Sequence, residues 1–394
     1  MLHRVPPMSL PDETRLASGK TPRVLVFCET AYTITMKVPV YRSYRAKADD
    51  ATRWILDRLW EDRAGLFHPA DPPAPKALPY DFMWGNGVAF SALVGGLRYD
   101  PARYRPYVDK FFAGLNRHWD KDAPIPGYDA YFSSPDGDDK YYDDNEWMVI
   151  TFAEAYGLTR DRKFLDRSVE TQRLALSGWD EVLGGGIYWR PDKGSKNTCS
   201  NGPGATASLA IATYANSGYH VRWAERIVAW TNAHLQDADS LFWDNIKPDG
   251  RVEKTKWTYN TALMLRANLD LYRLTKRPAC LAEAKRIAQA SERTFVNPRT
   301  GAFRDEALFS HLLIEAFLDL YTETKEPYLL QRAQKNAAFV YKELRAPGGG
   351  YFTKWDIVPD RKEERKTLIA NAAVARIFWL LAPYPDPDAG EKAA

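Results

Sequence analysis

The sequence lacks the features that would build a disulfide-stapled, metal-bound or membrane-spanning protein. Three cysteines in 394 residues, Cys28, Cys199 and Cys280, are too few and too widely spaced for a disulfide framework or a zinc site. No apolar run approaches the length of a membrane span. The apolar run at 24–28 ends at Glu29 and is too short for a signal-peptide core, so the sequence leaves localisation open.

An excess of charge of either sign is also lacking. Lys and Arg total 54 against 51 Asp and Glu, so we expect neither nucleic acid nor an anionic membrane as a partner. Aromatic residues, in contrast, are plentiful, with 13 Trp, 22 Tyr and 17 Phe, many of them in polar loops. Such loops suit flat uncharged ligands such as sugar rings, although Trp and Tyr also serve in protein cores.

The dominant pattern is an alternation of two kinds of predicted helix. Amphipathic helices are predicted near 49–62, 101–117, 161–177, 219–235, 279–295 and 327–344. Each precedes a helix that is apolar or small nearly all round, at 85–98, 143–158, 202–216, 258–274, 307–322 and 367–382. A helix that is apolar on every side must be buried on every side, so the second set is expected to lie inside the first.

Six such pairs predict an all-α fold, a closed (α/α)6 barrel of inner helices wrapped by outer helices. An open solenoid would need polar capping repeats, which we do not find in the sequence. We expect the barrel to occupy 46–383, after an irregular leader at 1–45 and before a flexible tail at 384–394.

The connections between helices predict one plain rim and one functional rim. Inner-to-outer links are short and resemble one another. Outer-to-inner links are long, varied and rich in Gly, Pro and aromatic residues, at 64–84, 120–142, 178–201, 236–257 and 345–366. Because long loops in a compact domain are commonly functional, we expect the site on their side of the barrel.

Two neighbouring carboxylates, Asp143 and Asp144, begin the second inner helix on that rim. Helix capping is the alternative interpretation, since Asp complements the helix dipole. Their place on the elaborated rim, between Tyr142 and Trp147, favours catalysis. Two carboxyls in one site repel, so one ionises while the other keeps its proton, as glycoside hydrolysis requires. The residues alone allow either order of roles and leave the stereochemical outcome open.

Three sequence elements resemble those of glycoside hydrolase family 76, the endo-acting α-1,6-mannanases. They are Tyr142-Asp143-Asp144 with Trp147, the run 184–189 (GGGIYW) followed by 196–201 (KNTCSN), and 257–260 (WTYN). The resemblance implies an (α/α)6 barrel and a retaining mechanism with Asp143 as nucleophile and Asp144 as acid/base. Members are usually secreted or periplasmic. The chain departs from the family at Tyr142, where Trp is common, at Met148, and at 202–204 (GPG).

Aromatic and amide side chains in these elements and loops are expected to bind the substrate. The predicted substrate-binding residues are Trp84, Tyr128, Tyr142, Trp147, Tyr188, Trp189, Lys196, Asn197, Asn201, Trp257, Tyr259 and Asn260. Tyr131, Trp243 and Trp355 are further candidates for stacking. Asn201 and Asn260 could instead cap helices, Lys196 could instead order its loop, and His311 is expected in the core. No cofactor and no metal are expected.

Three other functions remain open at this level. A sugar epimerase of the same barrel class would be expected to use histidines, of which the chain has six. A uronide hydrolase would need a basic pocket, for which Arg190, Lys193 and Lys196 are candidates. A glycan-binding protein would keep the fold without catalysis. The leading hypothesis is a monomeric glycosidase acting on an α-mannan-type polysaccharide or oligosaccharide.

Overall fold

The computed structural model describes residue 41 and residues 43–131, 139–355 and 365–390, so most of the predicted leader at 1–45 lies outside it. Within these residues, twelve α-helices alternate between two layers. The outer helices are α1 (Tyr44–Arg58), α3 (Pro101–Gly114), α5 (Arg162–Ser177), α7 (Gly218–Leu235), α9 (Pro278–Phe295) and α11 (Pro327–Glu343). The inner helices are α2 (Met83–Leu97), α4 (Tyr142–Thr159), α6 (Thr198–Ala215), α8 (Thr258–Thr275), α10 (Ala307–Thr324) and α12 (Leu368–Leu381).

The inner helices form a closed ring, because each packs against the next and α12 packs against α2. Each outer helix packs on the inner helix that precedes it, and α1 completes the outer layer by packing on α12. Glycines allow the close approach between neighbouring inner helices. A Cβ at Gly95 would lie 2.8 Å from the Cβ of Trp379, and one at Gly202 would lie 2.8 Å from the Cβ of Leu263. The predicted (α/α)6 barrel is confirmed.

Local sequence explains where the helices begin and end on the plain rim. The outer helices α3, α5 and α7 start at Asp100, Asp161 and Ser217, whose side chains accept a backbone N–H from the first turn. Proline occupies the first helical position of α3, α9 and α11, where its missing N–H costs nothing. Four inner helices end in a left-handed residue, at Arg160, Asn216, Lys276 and Lys325.

Short antiparallel strands connect the long loops on the opposite rim. Strand β1 (Trp60–Glu61) pairs with β2 (Leu66–Phe67), and β4 (Trp119–Asp120) pairs with β5 (Gly127–Tyr128). Strands β6 (Lys196–Asn197), β7 (Asn245–Ile246) and β8 (Val252–Glu253) join two neighbouring loops, with Asn197 opposite Asn245. Strand β3 (Ala70–Asp71) pairs with β9 (Lys366–Thr367), which links the first long loop to the last. Strand pairing therefore holds two pairs of loops together, the first with the last and the loop before α6 with the loop before α8.

A buried ion cluster fills the barrel axis. Arg376 on α12 contacts Glu154 of α4 at 2.9 Å and Glu315 of α10 at 2.7 Å. Arg266 on α8 adds contacts to Glu315 at 3.5 Å and to Asp319 at 3.2 Å. Although burial alone would raise the pKa of Glu315, the two guanidinium charges lower it to about 2. The inner helices are thus joined by charge as well as by apolar packing.

The ends of the barrel differ slightly from the predicted boundaries. Helix α1 begins at Tyr44, and its Lys47 forms a buried ion pair with Asp386 at 2.7 Å. The amide of Gln334 donates to the Pro385 carbonyl at 2.9 Å. Pro385 and Asp386, at the start of the segment predicted as a flexible tail, therefore contact the barrel. No helix in the described ranges has both the length and the apolar character that a bilayer crossing requires.

Candidate active site

A cavity of about 490 Å³ opens on the rim of long loops, where the inner helices begin. The first turns of α2, α4, α6, α8 and α10 contribute to it, together with three of the loops. The residues that line it are Phe82, Trp84, Ala130, Tyr131, Tyr141, Asp143, Asp144, Trp147, Trp189, Ser195, Asn197, Cys199, Asp244, Asn245, Trp257, Tyr259 and Phe309.

A ring of hydrogen bonds places the loop residues of the pocket. The first N–H of α4, at Tyr142, donates to the carbonyl of Trp189 at 3.1 Å, and the first N–H of α6, at Thr198, donates to that of Asp244 at 2.9 Å. The first N–H of α2 donates to the carbonyl of Ala130 at 2.9 Å. Each bond joins the first N–H of a helix to the backbone of the next long loop. It therefore caps the helix and also positions a loop residue that lines the pocket. The first N–H groups of α10 and α12 donate in the same way to the carbonyls of Thr353 and Pro69, and that of α8 donates to the side chain of Asp305 at 2.7 Å.

Asp143 lies in the first turn of α4 with its carboxylate held by two N–H groups. Its Oδ1 accepts the backbone N–H of Asp144 at 3.1 Å, and its Oδ2 accepts the indole N–H of Trp189 at 3.1 Å. The N-cap residue of the helix is Tyr141, which makes no side-chain cap bond. Neither aspartate is therefore the N-cap, although both lie in the first turn, where a carboxylate complements the helix dipole.

Burial and mutual repulsion separate the proton affinities of the two aspartates. Burial raises the pKa of Asp143 to about 6, and hydrogen bonds from Cys199, Trp189 and the backbone limit that rise. The pKa of Asp144 is raised well above its ordinary value by burial and then by the charge of Asp143. Asp143 therefore ionises first while Asp144 keeps its proton, and one pocket holds a carboxylate and a carboxylic acid side by side.

Cys199, in the first turn of α6, was not among the predicted site residues. Its side chain lines the pocket beside Asp143 and Tyr259, and interaction with it lowers the pKa of Asp143 and raises that of Tyr259. Burial, followed by the charges of Asp143 and Asp244, raises the pKa of the thiol, so it remains a neutral S–H donor. The signal in the sequence was its position inside the 196–201 element, between two predicted contacts, Asn197 and Asn201. Cys280 is also a free thiol, and Cys28 lies outside the described residues.

Asp244 is a third carboxylate in the pocket that the sequence did not indicate. Its Oδ1 accepts the amide N–H of Asn260 at 3.1 Å, and its Oδ2 accepts that of Asn245 at 2.9 Å. Burial raises its pKa, and the two amide donors oppose that effect. Both carboxylate oxygens are thus oriented by side chains from different elements.

Aromatic rings form one wall of the pocket around Phe309. The ring of Phe309 stacks on Tyr259 at 4.5 Å and 15°, and on Trp84 at 5.8 Å and 27°. The ring of Trp257 lies 5.4 Å from that of Phe309, at 40°. On a second part of the pocket, Trp189 packs edge-on against Tyr141 at 5.0 Å and is 38% exposed. Phe309 was not predicted, because it lies within an apolar run of α10 that reads as core.

The structure brings eight of the predicted site residues into the pocket: Asp143, Asp144, Trp84, Trp147, Trp189, Asn197, Trp257 and Tyr259. Of the further stacking candidates, Tyr131 lines it as well. The predicted residues that do not line it are Tyr128, Tyr142, Tyr188, Lys196, Asn201 and Asn260, and neither do Trp243 and Trp355.

Lys196 and three tyrosines lie behind the pocket wall. The Lys196 ammonium is fully buried, donating to Asp180 Oδ1 at 2.7 Å and to backbone carbonyls of the glycine-rich loop. Of its two predicted roles, ordering the loop fits this placement and sugar contact does not. Tyr128, Tyr142 and Tyr188 are buried beneath the same loops, so direct sugar contact does not fit them either.

Asn201 binds the backbone of its own preceding loop. Its Oδ1 accepts the N–H of Ile187 at 2.8 Å, while its amide donates to the Ile187 carbonyl at 2.9 Å and to the Asn197 carbonyl at 2.8 Å. The side chain is fully buried and has no hydrogen-bonding atom left for a sugar. The N-cap of α6 is Asn197, so Asn201 is not the cap, and its burial favours a contact with the loop over the predicted contact with sugar. Asn260 reaches the pocket only through Asp244.

The alternatives that depended on histidine or on a basic pocket have no residues here to support them. Among the described residues, no histidine and no Lys or Arg lines the cavity. His311 is buried on α10, and burial lowers its pKa to about 4, so it is neutral in the core. The described part of the chain also contains no group of three His, Cys, Asp or Glu side chains arranged to hold a metal ion.

Comparisons with known proteins agree with the family resemblance of the sequence. Residues 43–346 match the profile of glycosyl hydrolase family 76. The solved structure of a family 76 α-mannanase from Bacteroides thetaiotaomicron superposes with a TM-score of 0.79 at 25% identity, covering 86% of this chain and 95% of that one. A meiotically up-regulated protein of Schizosaccharomyces pombe is 28% identical over 47% of this chain and 45% of its own length.

A mannan endo-1,6-α-mannosidase from Candida glabrata is 33% identical over 25% of this chain and 24% of its own length. The match to this chain therefore spans less than half of either curated relative. The family profile, in contrast, covers most of the barrel, and the α-mannanase superposes over nearly its full length. The chain belongs to glycosyl hydrolase family 76.

Proposed function

We propose that the protein hydrolyses α-1,6-mannosidic linkages in mannan by a retaining double displacement, with Asp143 as nucleophile and Asp144 as acid/base. The observation that carries the proposal is the pair of adjacent carboxyls in one pocket, with the pKa of Asp144 raised further than that of Asp143. Such a pair supplies the nucleophile and the general acid that glycoside hydrolysis needs.

In the first step, an ionised Oδ of Asp143 attacks the anomeric carbon while Asp144 gives its proton to the glycosidic oxygen. The bond between the anomeric carbon and that oxygen breaks, and the leaving sugar departs as an alcohol. The mannosyl group is then an ester of Asp143, and Asp144 is a carboxylate. The N–H groups of Trp189 and Asp144 orient the attacking carboxylate before this step.

In the second step, Asp144 takes a proton from water as the water oxygen attacks the anomeric carbon and Asp143 is released. The electrostatics of the pair suit this change of role. The charge of Asp143 raises the pKa of Asp144 in the free enzyme. Esterification removes that charge, so the pKa of Asp144 falls when it must act as a base. Two inversions at the anomeric carbon give net retention.

Two features of the pocket suit a sugar substrate. Asp244 supplies a carboxylate whose oxygens are already oriented, a suitable acceptor for sugar hydroxyls. The wall of Phe309, Tyr259, Trp84 and Trp257 offers apolar surface to neighbouring pyranose rings. The 1,6 linkage and the endo mode are taken from the curated relative of that activity.

A panel of polysaccharides tests this proposal. The protein is incubated with unbranched α-1,6-mannan, with an α-1,2/α-1,3-mannan and with dextran, an α-1,6-glucan, and reducing ends are measured. We expect release from α-1,6-mannan alone, and proton NMR of the first product should show the α anomer. Release from dextran but not from mannan would refute the sugar assignment. A β anomer formed first would refute the double displacement.

A further inference from the structure

The fourth residue of three inner helices is an asparagine that clamps the preceding long loop. In α4, α6 and α12 these residues are Asn145, Asn201 and Asn371. Each accepts the backbone N–H of one loop residue and donates to the carbonyl of that same residue. Each also donates to the carbonyl four residues before it in the chain. The clamped residues are Tyr128, Ile187 and Tyr351.

The other three inner helices depart from this pattern: the fourth residue of α2, Asn86, donates to the Asp81 carbonyl, that of α10 is Ser310, and α8 differs in a way that involves a pocket side chain. The fourth residue of α8 is Thr261, whose buried hydroxyl has no hydrogen-bond partner among the described residues. The asparagine stands one position earlier, at Asn260, and its amide donates to the side chain of Asp244. In this loop Phe242 forms the bridge that Ile187 and Tyr351 form in theirs, and Asp244 follows Phe242 by two residues.

We infer that Asn260 is a positioning residue, which holds the Asp244 carboxylate at a fixed place in the pocket so that it accepts hydrogen bonds from sugar hydroxyls. Asn260 stands one residue earlier in its helix than Asn145, Asn201 and Asn371 stand in theirs. Its amide donates to a carboxylate, whereas theirs donate to backbone carbonyls. A hydrogen bond to a charged acceptor is stronger and more directional than the neutral bond it replaces. In α8 the asparagine therefore contacts a side chain of the pocket and not the backbone of the preceding loop.

The backbone of Asp244 makes the arrangement rigid. Its carbonyl accepts the first N–H of α6 at 2.9 Å, and its N–H donates to Glu253 of β8 at 3.0 Å. With the main chain fixed between α6 and the β-ladder, the side chain retains rotation about its own bonds. The amides of Asn260 and Asn245 restrict this rotation, because they donate to different oxygens of the carboxylate. Loss of either bond therefore lets the carboxylate turn away from the substrate.

This inference rests on the proposed function, and steady-state kinetics on α-1,6-mannooligosaccharides test both together. We expect Asn260→Ala to raise KM about ten-fold, the effect of losing one charge-assisted hydrogen bond, with a smaller change in kcat. In an Asp244→Ala background the same change should have no further effect, because Asn260 acts through Asp244. Thr261→Val, which alters the neighbouring buried side chain that has no partner, is the matched control and should leave KM unchanged.

A thermal-unfolding cycle without substrate separates the inference from the proposed function. Asn260→Ala and Asp244→Ala should lower the unfolding midpoint by less together than the sum of their separate effects. Additive midpoints, or an unchanged KM in Asn260→Ala, overturn the inference even if mannan is hydrolysed. If wild-type protein cleaves no mannan while the cycle shows coupling, the proposed function fails and the positioning of Asp244 by Asn260 stands.

Discussion

Replacing Asn201 tests whether this residue holds a loop or contacts sugar. Asn201→Ala would leave the N–H and the carbonyl of Ile187 without their partners at 2.8 and 2.9 Å. Each buried backbone group left unsatisfied costs about 1–3 kcal/mol, so we expect a loss of about 4 kcal/mol in the free energy of unfolding. At about 2 °C per kcal/mol for a chain of this size, the unfolding midpoint should fall by about 8 °C.

Differential scanning fluorimetry or calorimetry measures this shift. Asn201→Asp keeps the acceptor for the Ile187 N–H but faces a carboxylate toward two carbonyls, so its loss should be at least as large. Asn116→Ala is the control, since Asn116 is exposed and makes one bond to Arg167; its midpoint should move by about 1 °C or less. A stable Asn201→Ala protein with a raised KM would refute the reasoning and restore the predicted sugar contact.

Two further perturbations act on buried charge. Arg376→Ala should destabilise the fold by about 3–5 kcal/mol because the buried Glu315 loses its contact at 2.7 Å and keeps the longer one to Arg266 at 3.5 Å, whereas Arg251→Ala, in an exposed pair, should change the free energy of unfolding by about 0.5 kcal/mol or less. Since the folded-state pKa of Glu315 is about 2 against an ordinary 4.5, wild-type stability from this group is present above pH 4.5 and is lost as pH falls toward 2; in urea titrations across that range, Arg376→Ala should show a weaker dependence, because Arg266 still lowers the pKa of Glu315. Cys199→Ala removes a donor that favours ionised Asp143, whose pKa is about 6, so the acid limb of kcat/KM should move to higher pH, with Cys199→Ser closer to wild type; an unmoved limb would contradict the contact.

The barrel was predictable because its pattern is local. Helices that are apolar all round alternate with amphipathic ones, and their predicted centres agree with the twelve helices. The start of α1 was predicted five residues late, at 49 instead of Tyr44. The contacts of this first turn lie far away in sequence, since the buried Lys47 pairs with Asp386 and lies 4.2 Å from the ring of Tyr341. A lysine whose partner lies near the other end of the chain gives no local signal.

The site was predictable where chemistry follows from position on the chain. Asp143 and Asp144 stand at the first turn of an inner helix after a long loop, and that was visible in the sequence. The sequence does not show whether an aromatic residue in such a loop faces the pocket or the core. Tyr188 was therefore predicted as a contact beside Trp189, although of the two only Trp189 lines the pocket. Asp244 was missed because the amide that orients its carboxylate belongs to Asn260, which lies on another element.

The most direct test of the proposed mechanism is hydrolysis of α-1,6-mannan by Asp143→Asn and Asp144→Asn variants whose unfolding midpoints match that of wild type. Both side chains stay close in size, while the nucleophile or the acid is removed. We expect reducing-end release to fall at least about 100-fold in each variant, the scale of one lost acid–base or nucleophilic group. Release at the wild-type rate by either variant would contradict the assignment of the pair as the catalytic groups.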